Sequence, residues 1–149
     1  MISLDIPRLA GMEDERVTVQ CRKLPAIFVG CVYRHPKALV ASFDYIEDVF
    51  KIICLRNKKV FILRDFNDDL LDKRNKSSKV LRSNHLTQIV GMPTRTTSSS
   101  ATLLELIITN EPAVIISHVV VPQAVADHHL ISAVMNISKP KKYTNKNYL

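Results

Sequence analysis

Glycine is scarce. There are three in 149 residues, Gly11, Gly30 and Gly91, all far apart. No glycine-rich phosphate loop of the P-loop or dinucleotide type can be built from them. Cysteine is sparse too. Cys21, Cys31 and Cys54 form no close metal-ligand pair, and their odd number makes no self-contained disulfide framework. No apolar run approaches the roughly 18 residues of a membrane-spanning helix. The first residues carry Asp5 and lack the basic-then-apolar pattern of a secretion signal. These absences lead to an expected intracellular setting, nuclear or cytoplasmic.

What is present is an ordinary globular composition with a basic balance. Hydrophobic residues make up 46% and charged residues 23%, which argues against global disorder. A chain of this length buries roughly 68–70% of its unfolded surface. Lys plus Arg is 21 against 14 for Asp plus Glu, a net charge of +7. That excess permits a polyanionic partner without requiring one.

Val17–Val19 and Cys21 alternate with polar residues, as in a short strand. Residues 26–33, AIFVGCVY, form a continuous apolar run of strand length. After Pro36 the period changes. Leu39, Phe43, Ile46, Phe50 and Ile53 recur in steps of four and three, which predicts an amphipathic helix. KVFIL, residues 59–63, is the next strand. Strand, helix, strand implies parallel pairing and an α/β sheet. Leu81, Leu86, Ile89 and Val90 suggest a short helix, and residues 93–102 a polar loop. Leu103–Thr109, Val114–Val121 and His129–Ile137 read as three further strands. From Lys139 the chain turns basic and poor in apolar residues.

Three polar clusters sit where strands end, the usual place for function in α/β sheets. Tyr33 opens the string YRHP. Asp65 and Asn67 follow KVFIL. Asp127 and His128 precede the last strand. In extended backbone Asp65 and Asn67 project to one side, with Phe66 opposite. A carboxylate beside an amide suits phosphoester hydrolysis, where one orients water and the other holds phosphate. Plain turn chemistry is the alternative for such residues. His128 could donate to a phosphoryl oxygen, with Asp127 raising its basicity or binding a hard cation. Only one of His128 and His129 can face a site on a strand. Glu105 lies in the apolar string LLELIIT, where an acid is costly unless paired. Lys73 to Arg82 holds five basic residues and no acid, suited to a phosphate backbone or to a solvated face.

In order, the strings YRHP, FILRDFNDDLL, LTQIVGMPTRTTSSSATLLELIITN and ADHHLISAVM resemble the endonuclease domain of non-LTR (LINE-like) retrotransposons. That domain belongs to the endonuclease/exonuclease/phosphatase family, alongside DNase I. The resemblance covers about residues 17–138. It implies an α/β sandwich of two sheets flanked by helices, and Mg²⁺- or Mn²⁺-dependent nicking of DNA. By resemblance, Asp65 orients or deprotonates the attacking water, and Asn67 holds the phosphate. Tyr33 contacts the phosphate, and His128 stabilises charge on its oxygens. Asp127 supports the metal or orients His128. Glu105 stands where the family usually has an aspartate supporting the histidine.

Departures accompany the match. Arg64 replaces the glycine that usually precedes DFN, and is expected to crowd the cleft. Ala126 replaces a serine. The family domain also begins with segments carrying an Asn and then a metal-binding Glu. This sequence starts after both, since Glu13 and Glu15 do not resemble them. The expected architecture is therefore a partial DNase I-like sandwich lacking N-terminal strands, over residues 1–138, with a basic tail at 139–149. Exposed sheet surface would then invite self-association. Two functional expectations follow. One is a metal-dependent DNA-nicking phosphodiesterase impaired by the loss. The other is a non-catalytic retroelement remnant that binds nucleic acid or protein.

Overall fold

A computed structural model describes residues 17–23, 27–57, 59–123 and 126–137. The basic tail expected at 139–149 lies outside the described residues. The strand–helix–strand unit forms as the periodicities demand. Strand β1 (Val17–Lys23) pairs antiparallel with β2 (Phe28–Arg34). Helix α1 (Ser42–Arg56) carries the chain to β3 (Val60–Asp65), which lies parallel to β2. The helix starts three residues later than the Leu39 register suggests. Residues 36–41 form turns, Leu39 and Val40 are exposed, and the Ser42 hydroxyl donates to the Leu39 carbonyl at 2.6 Å.

The short helix of the middle region is α2 (Ser77–Ser83), followed by the two-residue strand β4 (Thr87–Gln88). The polar loop at 93–102 contains a small hairpin, β5 (Arg95–Thr96) with β6 (Ala101–Thr102). Strand β7 (Glu105–Thr109) then pairs antiparallel with β3. The main sheet has the order β1-β2-β3-β7-β4. A single 3-10 turn, Pro112–Val114, takes the start of the strand expected at Val114–Val121. Strands β8 (Ile115–Val121) and β9 (Leu130–Met135) form a separate antiparallel pair. The result is a mixed α/β fold.

The core lies on the α1 face of the main sheet. Phe43, Ile46, Val49, Phe50 and Ile53 of α1 meet Val32, Ile62, Leu106 and Ile108 of the sheet, and Phe66 beyond β3. Phe66 sits edge-on to Phe43, with ring centroids 6.2 Å apart, and stacks on Phe50 at 6.1 Å. Burying each such side chain contributes roughly 1.5–3 kcal/mol relative to exposure. The opposite face is only partly covered. The side chains of Val120, Ile131 and Ala133 pack on the core from the β8–β9 pair. Tyr33 and Leu63 remain exposed, as do Val119, Val121, Leu130 and Val134 on the outer side of that pair. Among the described residues, no helix is long and apolar enough to cross a membrane.

Candidate active site

Three adjacent strands bring three of the expected residues into one row. Tyr33 stands opposite Asp65 across β2 and β3, and Asp65 stands opposite Glu105 across β3 and β7. Residues directly opposite share a face. The row therefore lies on the sheet face away from α1, where β2 and β3 end and β7 begins. Asp65 is half-buried. Desolvation pushes its carboxyl above the ordinary aspartate value, and the neighbouring Glu105 charge adds to the effect. The Asn67 N–H, His128 and Arg64 pull it back in part.

The DFN string is not extended. Asn67 has a φ of 48°, in the left-handed region that Asn tolerates better than most residues. Its backbone N–H donates to Asp65 Oδ1 at 2.8 Å, closing an Asx turn. Its side-chain nitrogen donates to the Arg34 carbonyl at 2.9 Å. The side-by-side projection expected of Asp65 and Asn67 is thus replaced by a turn. Asn67 fixes Asp65 and ties it to β2, where one of its two side-chain N–H groups is engaged. Phe66 does point into the core.

Arg64 does not crowd the cleft. Alternation places it on the α1 face, where it is 3% exposed, with its guanidinium carbon 3.5 Å from the Phe66 ring centre. None of its three side-chain nitrogens has a hydrogen-bond partner. Burial holds the group well below the ordinary arginine value, with the Asp68 and Asp65 charges opposing.

His128 completes the row. Its Nδ1–H donates to Glu105 Oε1. Its Nε2 lies 3.9 Å from Asp127 Oδ1, too far for a hydrogen bond, and the ring is 44% exposed. His129 turns elsewhere, with Nε2 3.0 Å from the Thr96 hydroxyl. Asp127 is held by Arg95, whose Nε and second guanidinium nitrogen reach Oδ2 at 2.8 and 2.7 Å. That hydrogen bond lowers the Asp127 carboxyl below the usual aspartate range.

Two residues that position this site carry no signal in the sequence beyond a polar loop. Thr94 is fully buried, and its hydroxyl accepts the N–H groups of Leu104 and Glu105, each at 3.0 Å. Its carbonyl accepts from His129 N–H at 2.7 Å, while Thr96 N–H donates to the Asp127 carbonyl at 2.8 Å. Arg95 adds its side chain to Asp127 and its backbone to a bridge with His128. Segment 94–96 therefore splints the start of β7 to residues 127–129. It sets Glu105 and His128 within reach of each other.

Among the described residues, the donor set as arranged does not fit a resident Mg²⁺ or Mn²⁺. Asp127, the ligand that the resemblance offers, is committed to Arg95. Glu105 Oε1 is committed to His128. Among the described residues, no three His, Cys, Asp or Glu side chains converge on one point. The remaining groups can still act on a phosphoryl centre. Asp65 can orient or deprotonate water. An imidazole that donates from Nδ1 presents Nε2 outward, and with both ring nitrogens protonated it can donate there to a phosphoryl oxygen.

No protein-family model matches the sequence, and no characterised protein matches it by sequence. Solved structures do resemble it. One is the endonuclease domain of TRAS1, a telomere-specific non-LTR retrotransposon, with a TM-score of 0.56 and 15% identity. The match covers 80% of this chain and 67% of that domain. Another is cytolethal distending toxin from Actinobacillus actinomycetemcomitans, with a TM-score of 0.53 and 16% identity. It covers 77% of this chain, which spans about half, 51%, of the toxin chain. At these identities the likeness concerns the backbone, and this chain has the fold of a DNase I-like α/β sandwich in part.

Proposed function

We propose that this chain is an endonuclease-like domain of retrotransposon type. Its site is built for a phosphodiester of DNA, and its hydrolysis is impaired. The observation that carries the reading is the row Tyr33–Asp65–Glu105 with His128 anchored on Glu105. In this reading Asp65 orients and deprotonates the attacking water, its basicity raised by burial. His128 Nε2 donates to the non-bridging oxygens as their charge grows, and the Tyr33 hydroxyl adds a second donor. Asn67 supports Asp65 rather than touching the phosphate.

Impairment follows from what holds the carboxylates. With Asp127 bound to Arg95, the site offers one carboxylate fewer to the cation that family chemistry uses to neutralise the reacting phosphate. Losing even one such stabilising contact typically costs about 10²–10³ in rate. The same observation favours the second reading, a non-catalytic binding module.

Nicking of supercoiled plasmid by the purified chain decides between them. The assay uses added Mg²⁺ or Mn²⁺, beside Asp65→Ala and His128→Ala. Weak nicking that both substitutions remove is the expected outcome. Nicking equal in all three proteins would be contamination and would end the catalytic reading. No nicking by folded protein would leave the binding module.

A further inference from the structure

The basic run of the sequence becomes an exposed, largely unpaired row of cations. Lys73, Lys76, Lys79 and Arg82 recur every third residue, and all four are exposed. The last three lie along α2 and the residue before it, within one 120° arc, because each step of three turns the helix by about 300°. None of the four makes an ion pair among the described residues. Arg74, which breaks the spacing, is instead paired with Asp72 at 3.1 Å. On α1 the corresponding cation is compensated, with Lys51 3.4 Å from Glu47 and 3.2 Å from Asp48. Helix α2 contains no acid at any position.

Such a stripe is unfavourable in isolation. Like charges on one helix face repel, and a cation beside the helix N-terminus opposes the macrodipole. Asp68 offsets part of this. Its Oδ2 accepts the N–H groups of Lys76 and Ser77 and the Ser77 hydroxyl, at 2.9, 2.8 and 2.7 Å. Those bonds also join the start of α2 to the loop that follows Asp65. The stripe thus begins where the candidate site ends. From Lys76 to Arg82 the helix rises about 9 Å. A duplex presents one phosphate charge per about 1.7 Å of its axis, so that span meets roughly five phosphates.

We infer that Lys73, Lys76, Lys79 and Arg82 form a docking surface for the phosphate backbone of a double-stranded nucleic acid. The contact is electrostatic and carries no base reading. It does not depend on hydrolysis at Asp65, and holds equally for a chain that only binds.

The test is anisotropy of a labelled DNA duplex against salt, without divalent ions. It compares the triple variant Lys73→Gln/Lys76→Gln/Lys79→Gln with the control Lys37→Gln/Lys51→Gln/Arg56→Gln. Both lose the same charge, and circular dichroism checks that both fold. The stripe variant should show a log–log salt slope shallower than the control by about 2.7, from three lost phosphate contacts. Between 50 and 200 mM salt, control affinity should then fall roughly 40-fold further than that of the stripe variant. Arg82→Gln alone should flatten the slope by about 0.9. Equal slopes in the two triple variants would overturn the inference, reducing the stripe to net charge. So would absence of duplex binding by the unmodified chain at low salt. Stripe-dependent binding to phosphatidylserine vesicles but not to duplex would replace the nucleic acid with a lipid surface.

Discussion

Two arginines occupy equivalent depths in this molecule and meet opposite fates. Arg34 ends β2 and Arg64 lies near the end of β3, both buried on the α1 face, at 5% and 3% exposure. Each stacks on a phenylalanine, Arg34 on Phe43 at 4.5 Å and Arg64 on Phe66 at 3.5 Å. Arg34 is fully engaged. It donates to the Ser42 hydroxyl at 2.8 Å and to the carbonyls of Phe66, Ala38 and Leu39 at 3.2, 2.6 and 3.4 Å. It therefore staples the turns before α1 to the loop after β3. Arg64 has an aromatic ring beneath it and no hydrogen bond. A buried cation is tolerable when its donors find acceptors, and costly when a ring is its main contact. One arginine organises the site loop, and the other burdens the strand that carries Asp65.

Removing each side chain should separate the two roles. Arg34→Met should destabilise the fold by about 3–5 kcal/mol, because several buried carbonyls lose their donor. Urea unfolding reads this, and a loss below about 1 kcal/mol would erase the contrast. Arg64→Met should move the other way, stabilising by about 1–4 kcal/mol. An unchanged or lowered midpoint would mean that Arg64 is compensated in a way the contacts do not show. A double-mutant cycle of Arg64→Met with Phe66→Leu should give a coupling of roughly 1–2 kcal/mol, the value of a desolvated cation–ring contact. The same cycle between Arg34→Met and Phe66→Leu should be smaller, since Arg34 reaches that residue only through its carbonyl.

The smallest expected effect is a pH slope. Because desolvation raises the Asp65 carboxyl above its unfolded value, the folded state holds that proton more tightly. Its contribution is full below the unfolded value and is lost as pH rises through the folded one. Asp65→Asn should abolish that fall of stability as pH rises through the folded value. A steeper fall in the variant would mean that the carboxyl is lowered instead.

Much of the scaffold was legible because it rests on local periods. The apolar run 26–33, the stepwise pattern to Ile53 and KVFIL each name their element, and the order alone implies that β2 and β3 are parallel. Glu105 was legible as an acid in an apolar string. The misread positions depend on partners far along the chain. DFN read as extended, yet the Asn67 bond to Arg34 closes a separation of 33 residues. Arg64 was expected in the cleft, and strand parity puts it in the core. Arg95 and Thr94 looked like ordinary loop residues until the β9 entrance came beside them. The partner of Asp127 is equally hidden in the sequence, because Arg95 is 32 residues away.

The splint made by segment 94–96 has a consequence for the order of assembly. Tyr33 and Asp65 belong to the β2–α1–β3 unit, whose paired strands are complete once residue 65 has been made. Glu105 and His128 join only when β7 docks on β3, about 40 residues further along the chain, and so after the first pair of strands can already have formed. The two halves of the candidate site should therefore mature at different times. During synthesis, Asp65 would emerge and settle while its histidine is still being made. A nascent chain stalled before residue 105 would hold the water-orienting half of the site and none of the half that receives the charge.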